Sequence, residues 1–248
     1  MLKKERQAYI IQQINRHNKV LSSDLSNELL VSEDTIRRDL LELDRFGKLT
    51  KVHGGALSKS SHFTIQNNIV YSLNEKKVIA RKAATLVKDG MFVVLSGGTT
   101  IRELIKALPA ELNATFITPS IPTALELMEH PNIEVIFVGN KLSKSAQIAV
   151  GSEVTTMLNN VRADLCFLGT NSIDIKGGVT DLDWEVIEVK RAMIACSKTV
   201  VSLTISEKLD TIQHLKVCNI AAIDVLVTEL DTTHQLLKKY KESMRIIL

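Results

Sequence analysis

The sequence predicts two domains of different classes, an N-terminal winged helix-turn-helix and a mostly parallel α/β domain. Helical spacing with cap residues defines three short helices, and a Gly-rich hairpin follows them. From residue 91 onward, strand-like and helix-like runs alternate, which is typical of a parallel sheet covered by helices. We therefore divide the chain into a first domain at 1–57, a Ser- and Asn-rich linker at 58–75 and a second domain at 76–248.

The first two helices follow from apolar spacing. Residues 3–17 carry one apolar stripe, and Val20-Leu21 forms a short apolar link after it. A second helix is predicted from an N-cap at Ser22-Ser23. Its apolar face is predicted to hold Leu25, Leu29 and Leu30.

A third helix begins at an N-cap on Ser32, after a turn at Val31. Ile36, Leu40 and Leu43 recur at helical spacing and are predicted to point inward. Arg38 lies opposite them on the helical wheel, with Arg37 on the flank. Gly47 then stands where a C-terminal cap glycine belongs.

The run Leu49–His53 alternates like a strand and stops at Gly54-Gly55, which predicts a short basic hairpin. Three helices followed by such a hairpin are typical of a DNA-binding winged helix. The third helix enters the major groove, where arginine can make paired hydrogen bonds to guanine. Lys51 and His53 on the hairpin are predicted to contact the DNA backbone or the minor groove. The alternative is an amphipathic bundle whose arginines are merely solvated.

Composition excludes few classes of protein. The chain has 248 residues, 45% hydrophobic and 24% charged, and its net charge of +3 excludes a strongly basic histone-like protein. Residues 1–57 hold ten Lys or Arg against eight Asp or Glu, so DNA binding must depend on where these charges lie.

The chain is expected to be cytoplasmic, because neither a signal peptide nor a membrane span is recognisable. The N-terminal residues lack an apolar core, and no run approaches the ~18 apolar residues that a span requires. Cys166, Cys196 and Cys218 are odd in number and scattered, which favours buried free thiols over disulfides or a metal site.

The second domain shows strand-like runs at 91–95, 115–118, 133–138, 164–168, 199–205 and 223–228. Helical runs are predicted at 76–88, 100–108, 121–130, 152–162 and 182–196, and the chain is predicted to end with a helix at 231–243 and a strand at 244–248.

Several predicted strand ends carry residues suited to an anion. Ser96 is followed by Gly97, Gly98, Thr99 and Thr100, and this turn opens a helix whose N–H groups can hold a phosphate. Because ligands bind beyond the carboxyl ends of parallel strands, the turn Thr118-Pro119-Ser120 and Lys208 are predicted to join the same site. For each single turn, a plain structural loop is the alternative.

A catalytic site is not predicted. Charged residues around Lys176-Gly177-Gly178 could support proton transfer beside a sugar phosphate, or could simply be solvated: Asp174, Asp181, Asp183, Glu185 and Lys190. No metal-ligand spacing, Walker motif or GxGxxG motif occurs, so we expect neither a metal nor a cofactor.

The stretch Val31–Ala56, with its TIRRDL core and closing HGGA, resembles the N-terminal signature of the DeoR family of bacterial sugar-metabolism regulators. The resemblance extends over essentially the whole chain and implies a sensor domain with the fold of ribose-5-phosphate isomerase. It further implies a repressor that acts as a homo-oligomer and responds to a phosphorylated sugar. By position it implies DNA contacts from Ser32, Thr35, Arg37 and Arg38, and effector contacts from Gly97, Gly98, Thr99, Thr100, Thr118, Ser120 and Lys208.

Four positions depart from the family pattern. Ser96 and Ile205 stand where the family commonly has aspartates, Asn140 where many members have glycine, and Asn171 where the related isomerases have an aspartate. The absence of carboxylates at Ser96, Asn171 and Ile205 argues against isomerase activity. The sequence therefore predicts a DNA-binding regulator and not an enzyme. The alternatives are an isomerase-like enzyme with an added helical domain, and a regulator whose sensor has lost its ligand.

Overall fold

The structure is a computed structural model that describes residues 1–17, 19–58 and 70–248. It divides into two compact units, Met1–Tyr71 and Ser72–Leu248. Most of the predicted linker at 58–75 lies outside the described residues.

The first unit is a winged helix-turn-helix, as predicted. Its elements are α1 (Lys3–His17), β1 (Lys19–Leu21), α2 (Ser22–Leu29), α3 (Glu33–Arg45), β2 (Leu49–Val52) and β3 (Gly55–Ser58). The strands form an antiparallel sheet in the order β1-β3-β2. All three helices and the sheet contribute to one core: Ile10, Ile14, Leu25, Ile36, Leu40, Leu43, Leu49 and Ala56.

Two predictions for α2 are wrong. The apolar link before it is strand β1, which pairs Leu21 with Gly55, so the helix starts directly at Ser22 without a serine cap. The Ser22 amide instead donates to the Gly54 carbonyl oxygen, at 2.8 Å. Leu30 does not point inward: α2 ends at Leu29, and Leu30 turns into the left-handed region with φ 53° and 90% of its surface exposed.

Helix α3 has the start and the inward face that were predicted. The Ser32 hydroxyl accepts a hydrogen bond from the Thr35 amide at 3.3 Å, and Ile36, Leu40 and Leu43 are buried. Gly47 adopts φ 68° just beyond the helix end, a conformation that glycine takes without strain.

The second unit is an α/β domain with a seven-stranded sheet in the order β15-β14-β12-β9-β4-β5-β6. Every neighbouring pair in this sheet is parallel. Its strands are β4 (Phe92–Leu95), β5 (Thr115–Thr118), β6 (Glu134–Phe137), β9 (Ala163–Gly169), β12 (Ser197–Leu203), β14 (Val225–Val227) and β15 (Ile246–Ile247).

The helices of this unit are α4 (Leu73–Ala84), α5 (Thr99–Lys106), α6 (Ile121–Met128), α7 (Ser152–Asn159), α8 (Trp184–Ala195) and α9 (Lys238–Lys241). Three short 3-10 helices are η1 (Ser206–Lys208), η2 (Ile220–Ala222) and η3 (Gln235–Leu237). The fold class is the predicted one, and each strand of the parallel sheet falls on a predicted strand-like run.

Two small antiparallel sheets were not predicted. A hairpin joins β7 (Lys141–Ser143) to β8 (Ile148–Val150), and a three-stranded sheet combines β10 (Ser172–Asp174), β11 (Gly178–Asp181) and β13 (Leu215–Cys218). These strands are as short as most strands of the parallel sheet, but several of them include polar residues such as Lys141, Ser143, Ser172 and Asp174, so they form no apolar run.

The predicted helices of this unit differ from the observed ones by a few residues at one or both ends, and two predictions are corrected further. Helix α4 runs over Leu73–Ala84 rather than 76–88. The helix predicted at 231–243 is interrupted, because Asp231 and His234 bind nearby backbone amides with their own side chains and form turns. Only η3 and the four-residue α9 remain of it.

Candidate DNA interface and anion site

The exposed face of α3 carries the two arginines. The Arg38 side chain is 81% exposed and pairs with Asp34 at 2.6 Å, and Arg37 pairs with Glu33 at 3.4 Å. Such surface pairs contribute little to stability, so exchanging them for a phosphate or a base edge costs little. Both arginines are thus held at the surface and remain available to a partner.

The start of α3 is polar and open to solvent. Ser32 caps the helix, and its hydroxyl lies 2.9 Å from the Thr35 hydroxyl. The carboxylates of Glu33 and Asp34 in the first turn already lie at the positive end of the helix dipole. Ser32 and Thr35 therefore lie at the N-terminal end of the helix, the end that reaches base edges in helix-turn-helix proteins.

The turn of the wing requires both glycines of the HGGA motif. Gly54 has φ 78°, and a Cβ atom on Gly55 would lie 2.0 Å from the Val20 carbonyl oxygen. The glycines therefore shape the hairpin against β1. His53 is exposed in this turn, and Lys51 is half-exposed on β2.

A buried ion pair that the sequence analysis missed fixes α3 against α1. Asp39 is 1% exposed, accepts a hydrogen bond from Arg6 Nε and accepts a second one from Gln7 Nε2 at 3.3 Å. The available signal was a charged residue three positions after Ile36 and four before Leu43, which places it on the inward face of the helix.

In the second unit, the carboxyl ends of β4 and β9 are joined directly. Ser96 Oγ accepts a hydrogen bond from the Gly169 amide at 2.8 Å and donates to the Gly97 carbonyl at 3.2 Å. A Cβ atom on Gly169 would lie 2.8 Å from the Gly97 carbonyl oxygen, so this close approach requires glycine. The serine at position 96 thus holds two neighbouring strand ends together.

The turn after β4 presents an open helix start. Gly98 occupies the N-cap position with φ 120°, no side chain caps α5, and no acidic residue lies in its first turn. Thr99 and Thr100 are half-exposed. This is an arrangement in which backbone N–H groups and two hydroxyls can receive an anion.

Thr118 and Ser120 are buried, and their hydroxyls are engaged inside the protein. Thr118 Oγ1 accepts from the Ser120 amide at 3.1 Å, and Ser120 Oγ caps α6 by accepting from the Thr123 amide at 3.4 Å. Thr123 Oγ1 in turn donates to the Ser96 carbonyl at 3.1 Å. These two predicted effector residues therefore shape the edge of the sheet next to the turn at Gly97.

Two lysines are buried beside this edge. Lys208 is 6% exposed and Lys76, on α4, is 5% exposed. Burial lowers the pKa of each to about 8; Glu207 opposes the shift in Lys208, while Lys76 adds to it. The sequence analysis missed Lys76, although it shares the apolar face of α4 with Ile79 and Ala80, and a lysine on such a face was the signal.

The charged residues around Gly177-Gly178 all have structural partners. Asp174 accepts from the Lys176 and Gly177 amides at 2.8 Å, and Asp183 caps α8. The remaining pairs are Lys141 with Glu185 at 2.5 Å and Lys190 with Asp181 at 2.7 Å. Asp174 and Asp183 are thus held by backbone amides and Asp181 by the buried Lys190, whereas Glu185 forms a surface ion pair.

Comparison with known proteins decides the family. Residues 6–62 match the DeoR-like helix-turn-helix domain, and residues 72–230 match the DeoR C terminal sensor domain. The chain belongs to the DeoR family. Its DNA-binding part and its sensor part thus coincide with the two compact units.

Curated DeoR-family relatives cover nearly the whole chain. The chain is 34% identical to the HTH-type transcriptional regulator GolR of Listeria innocua, over 96% of this chain and 95% of the relative. It is 32% identical to the transcriptional repressor GlcR of Bacillus subtilis, over 92% and 89%. It is also 32% identical to the lactose phosphotransferase system repressor of Staphylococcus aureus, over 72% and 73%. This DeoR-family chain is a DNA-binding transcriptional regulator and not an enzyme.

Among solved structures, the chain resembles ribose 5-phosphate isomerase A of Methanocaldococcus jannaschii with a TM-score of 0.40 at 21% identity. That likeness covers 54% of this chain and 53% of the isomerase. In the described part of the chain, no helix is long and apolar enough to cross a membrane.

Proposed function

We propose that this DeoR-family regulator represses carbohydrate-metabolism genes in the cytoplasm, and that a phosphorylated sugar modulates its binding to an operator. The observation that supports the DNA part most directly is the geometry of α3. Its buried face is fixed by Ile36, Leu40 and the Asp39 ion pair, while Arg38 projects from the opposite face. Such a helix can enter the major groove without any change in its packing.

In this proposal, the contacts divide by role. Arg37 and Arg38 contact base edges or phosphates, whereas Ser32 and Thr35, at the start of α3, contact the DNA backbone. Lys51 and His53 of the wing are proposed to contact the backbone or the minor groove. The domain bounds that we propose are 1–57 for DNA binding and 76–248 for effector sensing and homo-oligomer formation.

A gel-shift titration at fixed salt tests the recognition helix. Arg38→Ala is expected to weaken operator binding roughly five- to 150-fold, the range that corresponds to one paired base contact. Arg45→Ala is the matched control, because it removes the same charge from the exposed far end of the same helix. Equal affinity of the two variants would contradict the assignment of α3. The free energy of unfolding should be unchanged in Arg38→Ala, because the Arg38 side chain contributes only one surface ion pair.

We propose that the effector's phosphate binds at the turn Gly97–Thr100, at the open start of α5, with Lys208 and Lys76 supplying positive charge. Burial lowers the pKa of both lysines, so an anion that binds beside them stabilises their charged form. Thr118 and Ser120 hold the surrounding edge in shape in this proposal.

The effect on DNA requires two states of the regulator. A sugar phosphate changes operator affinity only if it binds one arrangement of the winged domains in an oligomer more tightly than the other. Induction and corepression are both compatible with this scheme, and operator titrations with and without the ligand separate them.

A melting-temperature screen tests the effector site. The screen measures the melting temperature of the protein, because a ligand that binds the folded state raises it. The compounds compared with inorganic phosphate are ribose 5-phosphate, glucose 6-phosphate, fructose 6-phosphate and glycerol 3-phosphate. Lys208→Ala is expected to lose this stabilisation, whereas Lys198→Ala, an exposed lysine at the start of β12, should retain it. If no compound stabilises the unsubstituted protein, the regulator whose sensor has lost its ligand becomes the better account.

A further inference from the structure

The hydroxyl of Tyr240 in α9 joins three backbone and side-chain groups inside the second unit. It accepts a hydrogen bond from the Asp210 amide at 3.0 Å, and it lies 2.8 Å from Asp210 Oδ1 and 3.1 Å from the Ile173 carbonyl oxygen, to either of which it can donate. The Tyr240 side chain is fully buried. Burial raises the pKa of its hydroxyl, so the proton needed for donation stays in place.

Asp210 holds a left-handed backbone conformation. Its φ is 58°, a value that most residues with a side chain avoid and that aspartate and asparagine adopt more readily. Lys239, next to Tyr240, adds an ion pair with Asp210 Oδ1 at 2.6 Å. The C-terminal segment therefore holds this one residue with both its amide and its carboxylate.

The position of Asp210 bears directly on Lys208, which lies two residues earlier. Thr211 Oγ1 donates to the Lys208 carbonyl oxygen at 2.7 Å, so the backbone of Lys208 is tied to the same turn. At the other end of the loop, both carboxylate oxygens of Glu229 accept from the Ser206 amide at 3.0 Å. The loop 206–211 is thus held from both ends.

We infer that Tyr240 is a positioning residue of the effector site: through Asp210 it fixes the loop that places the Lys208 amino group for an anion. This inference rests on the proposed function of Lys208. A lysine on a loop that moves by about 1 Å loses much of its contribution to an oriented anion contact, because binding groups act only in the correct geometry. Tyr240 itself does not touch the effector.

Calorimetric titration of the full chain tests this inference. The probe is the sugar phosphate from the panel above that stabilises the unsubstituted protein most. Tyr240→Phe keeps the ring and its packing but removes the hydroxyl, and it is expected to weaken binding about tenfold, the factor that corresponds to one hydrogen bond with a charged partner. Asp210→Ala, which removes the acceptor and disfavours the left-handed backbone, is expected to have a similar effect.

Two further variants separate positioning from general stability. Val154→Ala destabilises the fully buried start of α7 and is expected to bind the probe like the unsubstituted protein. Asp210→Asn tolerates the left-handed backbone and keeps an acceptor for the Tyr240 hydroxyl, so it should restore affinity to within about twofold.

The outcomes are distinguishable. The inference would be overturned if Tyr240→Phe bound the probe as tightly as the unsubstituted protein. It would also be overturned if Val154→Ala lost affinity for the probe in step with its lower stability. Either result would leave the proposed effector site intact. If the unsubstituted protein binds none of the compounds, the proposed effector function fails and the positioning role fails with it.

Discussion

The amino group of Lys190 lies 2.7 Å from Oδ2 of Asp181, and both side chains are buried. The same amino group donates to the Gly169 carbonyl oxygen at 3.0 Å, and Asn171 donates to the other oxygen of Asp181 at 2.9 Å. Burial by itself would raise the pKa of Asp181, but the Lys190 ammonium together with the hydrogen bonds from Lys190, the Leu182 amide and Asn171 outweighs it and holds that pKa below its usual value. The pair therefore stays charged, and it ties α8 to the carboxyl end of β9.

We predict that Lys190→Met lowers the free energy of unfolding of the sensor domain by about 3–5 kcal/mol, because it leaves Asp181 buried without its partner. Urea unfolding measures this change. Lys198→Met is the matched control, since Lys198 is exposed, and its effect should stay within about 0.5 kcal/mol. A loss of similar size in both variants would show that the pair does not have the role assigned to it.

We predict that effector affinity falls as the pH rises through about 8, because Lys76 and Lys208 both lose their charge near that value. Lys76 faces Glu75, Glu103 and Glu207, while Lys208 faces Glu207, Lys76 and Asp181, and burial outweighs the carboxylates in each case. Titration calorimetry in two buffers of different ionisation enthalpy should detect proton uptake on binding above pH 8.

The same two lysines make a second measurement possible without a ligand. Their folded pKa of about 8 lies below the ordinary value of 10.5, so the unfolded chain binds more protons between these limits. The two lysines therefore contribute a stability that rises with pH across that interval, while the buried thiols of Cys166, Cys196 and Cys218, whose pKa is raised by burial, contribute the opposite slope. The pH slope of the free energy of unfolding should be smaller in Lys208→Met than in the unsubstituted protein, and equal slopes would contradict the burial of this charge.

We predict that Leu30→Gly stabilises the winged helix by roughly 0.5–1 kcal/mol. Leu30 holds a left-handed backbone with φ 53° and is 90% exposed, so glycine relieves strain while little packing is lost. Thermal unfolding of the N-terminal unit in the full chain is the measurement. Leu41→Gly is the opposite control: it lies in right-handed α3, is 41% exposed, and should lose about 1 kcal/mol. Destabilisation by both substitutions would refute the strain at Leu30.

The sequence was sufficient wherever a feature depends on neighbours within a few residues. The Ser32 cap, the inward stripe of Ile36, Leu40 and Leu43, and the left-handed Gly47 are of this kind. So are the inner strands of the parallel sheet, β4, β5, β9, β12 and β14, whose runs are apolar because helices cover both faces of the sheet. The TIRRDL and HGGA motifs then indicated the family, because the short stretch that contains them combines a helix cap at Ser32, the arginine pair Arg37-Arg38 and the glycine pair Gly54-Gly55.

The tertiary structure decided what depends on segments far apart in the chain. Asp39 meets Arg6 across 33 positions, and Ser96 meets Gly169 across 73, so neither contact leaves a local pattern. Lys76 became a candidate ligand residue only once folding had buried it close to Lys208. Periodicity in a sequence reports which face of an element turns inward, whereas the identity of its partners, and hence the charge state of a buried lysine, is set by the packing of distant segments.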